Sequence, residues 1–565
     1  MSKFKSKGAG RKKATAKQTK NISSPTDTLQ IGLPDGSRFE LALASFFTSF
    51  IILLMRMYVY ERPMDQFYWS VGNEQLIEFF SYYKMVFILI SAVLALLVIL
   101  YRITTSTFYV RKNNLYILMA VYTLFVFLSY LFSDYKEFSL LGFNERFEGT
   151  LVQISYMVML YFIYNIVTNE RSLKWMLYIL GASSVLLGLL GISQYTGHDF
   201  LRTTIGKKIY TPSIYWDQLD TITFTFQNKE IYQTVYNINY VSFYITLLIP
   251  IFALLFIGVK NLKGKVAWGI LFFLAIFNLV GSKSSGGFLG LGVVFIVALI
   301  LLNKRILQWK KPILILLAMT LIAGGLTYEV WTKEISHSFK GMAKDDPPIN
   351  IESFEIIASD KVDPDKTPGT KRPYIDYIET GEDNIVLSLN GEPLTIKIHA
   401  SEGDEPAYMA LTDKKQDPIL IAPTGDEDVY SIMDNRFYDY ATLSYGSSDD
   451  FNFIMVNTPE TEWTFVVGDE IGYINPAGKA VRLSKVPAVG WKDNQSFGSG
   501  RGYIWSRTLP MLKETLLLGH GADTYVLHFP HDDYAGKYNA KWKLNKIVDK
   551  PHNMYVGMAV GTGAI

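Results

Sequence analysis

The chain has 565 residues, 49% of them apolar, no cysteine and a formal net charge of only +2. Without cysteine there can be no disulfide, no thiolate metal site and no thiol catalysis. The small net charge is a cancellation, because residues 345–470 hold 28 acidic against 8 basic side chains, a local net of −20.

Residues 1–38 open the chain as a Lys/Arg-rich tail with no apolar core directly after it, so no cleavable signal peptide is read. Such a tail could bind nucleic acid. Beside a membrane it instead fixes topology and touches anionic lipid, and no nucleic-acid partner is expected. Nine apolar blocks follow within residues 39–331: 41–58, 84–101, 115–132, 151–167, 173–192, 240–259, 266–280, 288–302 and 312–331. Each approaches the roughly 20 residues that span a bilayer, where backbone groups must be satisfied internally. A tenth begins at Met554 and the chain stops inside it, so further helices are expected beyond residue 565.

Alternate short loops carry the basic residues: Arg102, Arg111 and Lys112; Arg171 and Lys174; Lys260, Lys263 and Lys265; Lys304, Arg305, Lys310 and Lys311. Counted over nine helices, they fall on the same side as the basic tail, which predicts a cytoplasmic N-terminus in a multi-pass plasma-membrane protein. Residues 133–150, 193–239 and 332–553 then lie outside the cytoplasm. The fold class predicted is a polytopic α-helical membrane protein, with nine complete transmembrane helices and the start of a tenth. An antiparallel β-domain is inserted on its extracytoplasmic side.

The long outer segment divides by composition. Residues 332–379 form an acidic, Pro/Asp-rich linker, and residues 380–486 read as β. Ile385 to Leu389 and Leu394 to Ile398 alternate about Asn390-Gly391, the pair that supplies the positive φ angles of a tight hairpin turn. Further strands are expected at Phe451–Val456 and at 463–467. A second hairpin is expected about Asn475 to Gly478. Trp463 and Tyr473 could stack on sugars or fill a core. After Gly498 the pattern turns helical, with Ser499 as the expected N-cap of a helix through Glu514.

Residues 487–553 concentrate polar and aromatic groups, including His520, His528, His531 and His552, four of the seven histidines. A metal site needs three or four converging ligands and no recognised metal motif is present, so neither metal nor cofactor is expected. A general base needs one imidazole, and His552 stands at the threshold of the last apolar segment, beside lipid-linked groups. The other three read as hydrogen-bonded loop residues. Arg146, Arg501 and Arg507 are candidates for bidentate phosphate recognition, against the ordinary alternative of ion pairing. Arg501 and Arg507, six apart, belong on different faces of one helix. Lys283, in the turn Gly281-Ser-Lys-Ser-Ser-Gly-Gly287, either faces the same compartment or snorkels.

Several segments together resemble the O-antigen ligase and O-antigen polymerase superfamily of bacterial membrane glycosyltransferases, in its Gram-positive form. Gly142-Phe-Asn-Glu-Arg-Phe-Glu-Gly-Thr150 is similar to that family's loop before the fourth helix, and Tyr236-Asn-Ile-Asn-Tyr240 to the start of its central helix. Arg501-Gly-Tyr-Ile-Trp505, Gly519-His-Gly521 and Pro551-His-Asn553 resemble its outer-loop motifs. The resemblance covers residues 41–331 and 499–565 and leaves out the β-domain. It implies metal-independent, inverting transfer of glycan from an undecaprenyl-diphosphate-linked donor to a glycan, lipid or protein hydroxyl in cell-envelope polysaccharide assembly. By position His552 would be the base and Arg501 would hold the diphosphate, with Arg146 and Lys283 as further anion contacts. Trp505, Asn553 and Arg507 would support them. Ser284-Ser285 stands where the family usually offers arginine, and Lys283 lacks the bidentate fork.

Two other classes are open: a transporter or flippase of polysaccharide precursors, and a membrane-anchored glycan-binding protein. A transporter predicts charged groups within helices and paired broken helices. The apolar blocks are nearly free of central charge, and no internal repeat is visible.

Overall fold

The structure, a computed structural model, describes residues 36–62, 64–70, 75–224, 226, 229–306, 308–328, 367–399, 408–426, 428–447, 452–468, 470–492 and 494–564. Nearly all of the basic tail, the end of the ninth apolar block and most of the acidic linker lie outside them.

The apolar blocks fall on helices. They are α1 (Arg38–Ser45), α2 (Tyr82–Thr104), α3 (Leu115–Leu131), then a short α4 (Lys136–Leu141), α5 (Thr150–Ile166) and α6 (Glu170–Tyr195). After α7 (Thr204–Tyr210) come α8 (Ile238–Gly258), α9 (Leu262–Gly281), α10 (Ser285–Ile306) and α11 (Lys310–Leu326). Of these, α2, α6, α8 and α9 are long and apolar enough to cross a membrane, and α3, α5 and residues 286–302 form shorter apolar helices. On α2 a row including Val93, Leu97 and Leu100 faces outward with nothing packed on it, as a lipid-facing surface requires. Helix α9 is the most enclosed of the four, and a buried amide network ties it to its neighbours. Gln233 Nε2 donates to Asn278 Oδ1 at 3.1 Å, and Asn278 Nδ2 donates to the Gly188 carbonyl at 3.2 Å.

The first block departs from expectation. Its α-helix is only eight residues, continuing as a π turn over Phe46–Phe50 and a 3-10 turn over Ile51–Leu53 before the chain extends. Ser45 and Thr48 donate back to the Leu41 and Ala44 carbonyls at 2.7 and 2.9 Å. Such back-bonding competes with the regular ladder and bends a helix.

Outside the helices, β1 (Tyr58–Glu61) and β2 (Gln75–Glu78) form a hairpin. The β-domain begins earlier than composition indicated, at Ile375. Strands β3 (Ile375–Thr380), β4 (Asn384–Leu389), β5 (Glu392–His399), β6 (Tyr408–Thr412) and β7 (Pro418–Ile419) make a five-stranded meander. Strands β8 (Ile421–Pro423), β9 (Val429–Ile432), β10 (Thr442–Ser447), β11 (Asn452–Thr458), β12 (Thr461–Val467), β13 (Ile471–Ile474) and β14 (Ala480–Val481) make a seven-stranded one. The expected hairpin is present: Leu389 pairs with Glu392 about Asn390 and Gly391, whose φ angles are 53° and 86°. One core joins both sheets, with Leu387 and Leu394 from one and Val456, Trp463 and Phe465 from the other. Trp463 and Tyr473 belong to that core, at 0% and 3% exposure, so neither can stack on a sugar.

The return segment contains α12 (Phe497–Met511), α13 (Tyr525–His528), α14 (Tyr534–Asn539) and α15 (Met554–Thr562). Ser499 is not a cap. Gly498, Ser499 and Gly500 all have positive φ, regular helix starts at Arg501, and the element ends at Met511 rather than Glu514. A Cβ on Gly500 would lie 1.9 Å from the Trp542 ring, so that close crossing requires glycine.

Helix α14 inserts Tyr534, Ala535 and Tyr538 into the β-domain core. Asn539 pairs with both backbone groups of Ile375, at 3.0 and 2.7 Å. The return segment and the β-domain therefore share a core, which a division at residue 486 did not anticipate.

Candidate functional site

The loop from Gly142 to Gly149 folds back on itself. A Cβ on Gly149 would stand 2.4 Å from the Gly142 nitrogen, and one on Gly142 would stand 2.5 Å from the Glu148 nitrogen. Between them Glu145 and Phe147 take left-handed φ angles of 67° and 54°. The turned backbone presents its N–H groups to one carboxylate: Asp523 Oδ2 accepts from Phe143 N at 2.7 Å and from Glu148 N at 3.2 Å. Asp523 Oδ1 accepts from Arg146 Nε at 2.6 Å. Arg146 also donates through Nη1 to the Asp549 carbonyl at 2.7 Å and to its carboxylate at 3.0 Å. Arg146 is thus buried and engaged by two carboxylates of the return segment. It is a strut between loops rather than an open anion receptor.

Arg507 has a similar fate. Its Nε donates to Asp533 at 2.6 Å, with both side chains buried, and Asp533 caps α14 through Gly536 N at 2.9 Å. Sequence spacing set Arg501 and Arg507 on different faces of α12, and the structure gives them different work. Arg501 remains half-buried, donating to the Gly498 carbonyl at 3.0 Å.

The three residues Pro551, His552 and Asn553 each have a local role. The indole Nε1 of Trp505 donates to the Pro551 carbonyl at 2.8 Å. Asn553 caps α15 by accepting from Val556 N at 3.2 Å. His552 is held between these anchors with φ at 50°, in the left-handed region that histidine tolerates better than most residues. His552 is exposed to solvent and has charged neighbours of both signs. Desolvation, with the positive charges of Lys550, Arg501 and Lys546 set against Asp549, pushes its pKa down to about 4. At neutral pH this imidazole is uncharged and can accept a proton.

Lys550 carried no sequence signal and is the main addition to the site. Its Nζ lies 3.2 Å from Tyr240 OH, 3.3 Å from Tyr236 OH and 3.5 Å from the Asp549 carboxylate. The contact joins the return segment to the start of α8. On that helix Asn239 Oδ1 accepts from Ser284 Oγ at 2.7 Å, which brings in the α9–α10 turn. Lys283 stands on this turn with φ at 54° and joins neither of the ion pairs that hold Arg146. Glu145 and Glu148 complete the rim. Desolvation raises both carboxyls, aided by Asp549 for Glu145 and by Asp523 for Glu148.

The other three histidines of the return segment make contacts within the protein. His531 is fully buried, with Nε2 at 2.7 Å from the Val526 carbonyl. His520 and His528 stack with ring centroids 4.0 Å apart. Gly519-His-Gly521 braces the last helix: His520 N and Gly521 N donate to the Val560 and Gly561 carbonyls at 2.9 and 2.8 Å, satisfying groups that a helix end leaves open. No group of three or more His, Cys, Asp or Glu arranged to hold a metal occurs among the described residues.

The result is a solvent-reached site of mixed charge at the N-terminus of α15, whose helix dipole favours an anion. Its elements are the His552 imidazole, the cations Arg501, Lys546 and Lys550, and the carboxyls of Asp549, Glu145 and Glu148. Compared with known proteins, the chain matches no family model, no curated protein and no solved structure.

Proposed function

We propose that the chain is an extracytoplasmic glycosyltransferase, a ligase or polymerase that moves glycan from an undecaprenyl-diphosphate-linked donor to an acceptor hydroxyl. The reading takes the nine apolar blocks of the sequence as membrane crossings, with the N-terminus cytoplasmic and the β-domain outside. The observation that carries it is His552, held between the Trp505–Pro551 bond and the Asn553 cap at the start of an apolar helix, within reach of the charges of Arg501, Lys546 and Lys550.

In this reading the cations and the α15 N-terminus bind the diphosphate, which is already a good leaving group and needs little acid assistance. His552 takes the proton of the acceptor hydroxyl as that oxygen attacks the anomeric carbon from the face opposite the diphosphate, with inversion. Anion stabilisation and the base each contribute about two to four orders of magnitude. Lys550 and Arg501 serve the diphosphate, Trp505 and Asn553 position His552, and Arg146 fixes the loop that carries Glu145 and Glu148. Arg507, committed to Asp533, has no direct part, and Lys283 is a further contact for the anion. The alternatives of transport and of glycan anchoring predict no chemistry at His552.

Incubating the full chain in liposomes with undecaprenyl-diphosphate oligosaccharide and a hydroxyl acceptor tests the proposal. Release of undecaprenyl diphosphate with inversion at the anomeric carbon supports it, and unchanged donor under saturating acceptor counts against it.

A further inference from the structure

A second concavity lies away from His552, where β3 and the segment after β14 meet the return segment. It has a volume of about 900 Å³, within the roughly 300–1,000 Å³ usual for ligand sites. Its walls are Tyr374, Asp376 and Tyr377 of the β-domain, the extended stretch from Leu483 to Gly490, Arg507 and Pro510 of α12, and Lys513 just beyond that helix.

The charges on these walls are mostly paired within the protein. Lys492 Nζ lies 3.1 Å from Asp376, and Arg507 is bonded to Asp533. Lys485 Nζ sits 4.6 Å above the Tyr377 ring. Lys513 and Asp532 also line the cleft, and the rest of the lining is hydroxyl, amide and aromatic edge, suited to an uncharged polyhydroxylated molecule. One group is unfinished. Gln495 is only 3% exposed and its Nε2 donates to Tyr374 OH at 3.0 Å, but its Oε1 has no hydrogen-bond partner. A buried acceptor without a donor costs about 1–3 kcal/mol, and a ligand hydroxyl would supply that donor.

Position links the cleft to the chemistry. At about 100° per residue, Arg507 and Pro510 lie on the side of α12 opposite Arg501 and Trp505. One helix, about 10 Å across, therefore separates the cleft from His552. We propose that the cleft binds an uncharged oligosaccharide, the part of the glycan remote from the reacting sugar, with Gln495 and Tyr377 as its main contacts. The choice of a saccharide rests on the glycosyl-transfer reading; the cleft and its unpaired amide do not.

The test is saturation-transfer NMR and titration of the full chain in detergent, with short neutral oligosaccharides released from the surface polysaccharide of the cells that make it. Wild type and His552→Ala are expected to bind equally. Gln495→Leu and Tyr377→Ala are expected to weaken binding about tenfold or more; Tyr377 is half-buried, so its variant keeps the test open should Gln495→Leu fail to fold. Absence of binding by wild type, or undiminished binding by a folded Tyr377→Ala, overturns the cleft. Binding at the cleft by a chain that transfers nothing overturns the transfer reading and leaves the cleft standing.

Discussion

Arg146 Nε donates to Asp523 Oδ1 at 2.6 Å across 377 residues of sequence, and the same carboxylate receives the backbone N–H groups of Phe143 and Glu148. This one contact fastens the loop before α5 to the segment that carries His552. Its neighbour Asp549, three residues from His552, bonds the other end of the guanidinium.

Removing Arg146 leaves the buried Asp523 carboxylate without its cation, which costs about 3–5 kcal/mol, and removing the Asp523 charge leaves Arg146 only the partly exposed Asp549. Arg146→Ala and Asp523→Asn should each lower the unfolding temperature of the detergent-solubilised protein markedly. The double variant should be much less destabilised than the sum of the two, because they share one interaction. Additive losses, measured by thermal unfolding, would show that the two residues act separately.

Trp505→Phe deletes the indole donor to the Pro551 carbonyl and keeps most of the packing. Such a bond is worth about 1 kcal/mol net, so the protein should remain folded. Turnover should nevertheless fall about tenfold or more as His552 loses its placement, with donor KM little changed. A KM effect alone, seen in steady-state kinetics, would assign Trp505 to donor binding instead.

The pH dependence has a definite sign. A base must be uncharged to act, and His552 protonates only as pH falls through about 4. The acid limb of the transfer rate should therefore lie near 4, with no loss between neutrality and pH 5. Lys550→Ala removes a positive charge that disfavours protonation, so its acid limb should move upward. A pH–rate profile of both forms checks this, and a wild-type limb near the ordinary histidine value of about 6.5 would contradict it.

Gly500→Ala places a methyl group 1.9 Å from the Trp542 ring at a φ of 90°. It should cost about 2 kcal/mol or more, read as a lower unfolding temperature. Gly490→Ala has open space around it and should show only the smaller penalty of its left-handed φ.

Local signals were the legible ones. Hydrophobic blocks located the helices because the bilayer requirement acts on continuous sequence, and Asn390-Gly391 located a hairpin because the turn needs positive φ at two adjacent residues. The pair Arg501 and Arg507 was separated correctly by helical spacing alone. What sequence concealed was pairing at a distance. Nothing near Arg146 announces that Asp523 and Asp549 will occupy its guanidinium, nor does anything near Lys550 announce Tyr236 and Tyr240. The left-handed run at Gly498, Ser499 and Gly500 resembles a cap locally, and only the approach of Trp542 forces a different turn. Strand β3 reads as linker in the sequence because Pro373 and the acidic residues around it mask alternation, and because Asn539 of α14, distant in sequence, pairs with the backbone of its first residue.

Glycosyl transfer as proposed requires His552 to take a proton at a diphosphate-binding site. The direct measurement is single-turnover transfer from undecaprenyl-diphosphate oligosaccharide by His552→Ala and Arg501→Ala, each checked for wild-type unfolding temperature. The account predicts that His552→Ala lowers the chemical step by about two to four orders of magnitude while donor affinity is kept. Arg501→Ala should weaken donor affinity as well. A folded His552→Ala that transfers glycan at the wild-type rate would contradict it.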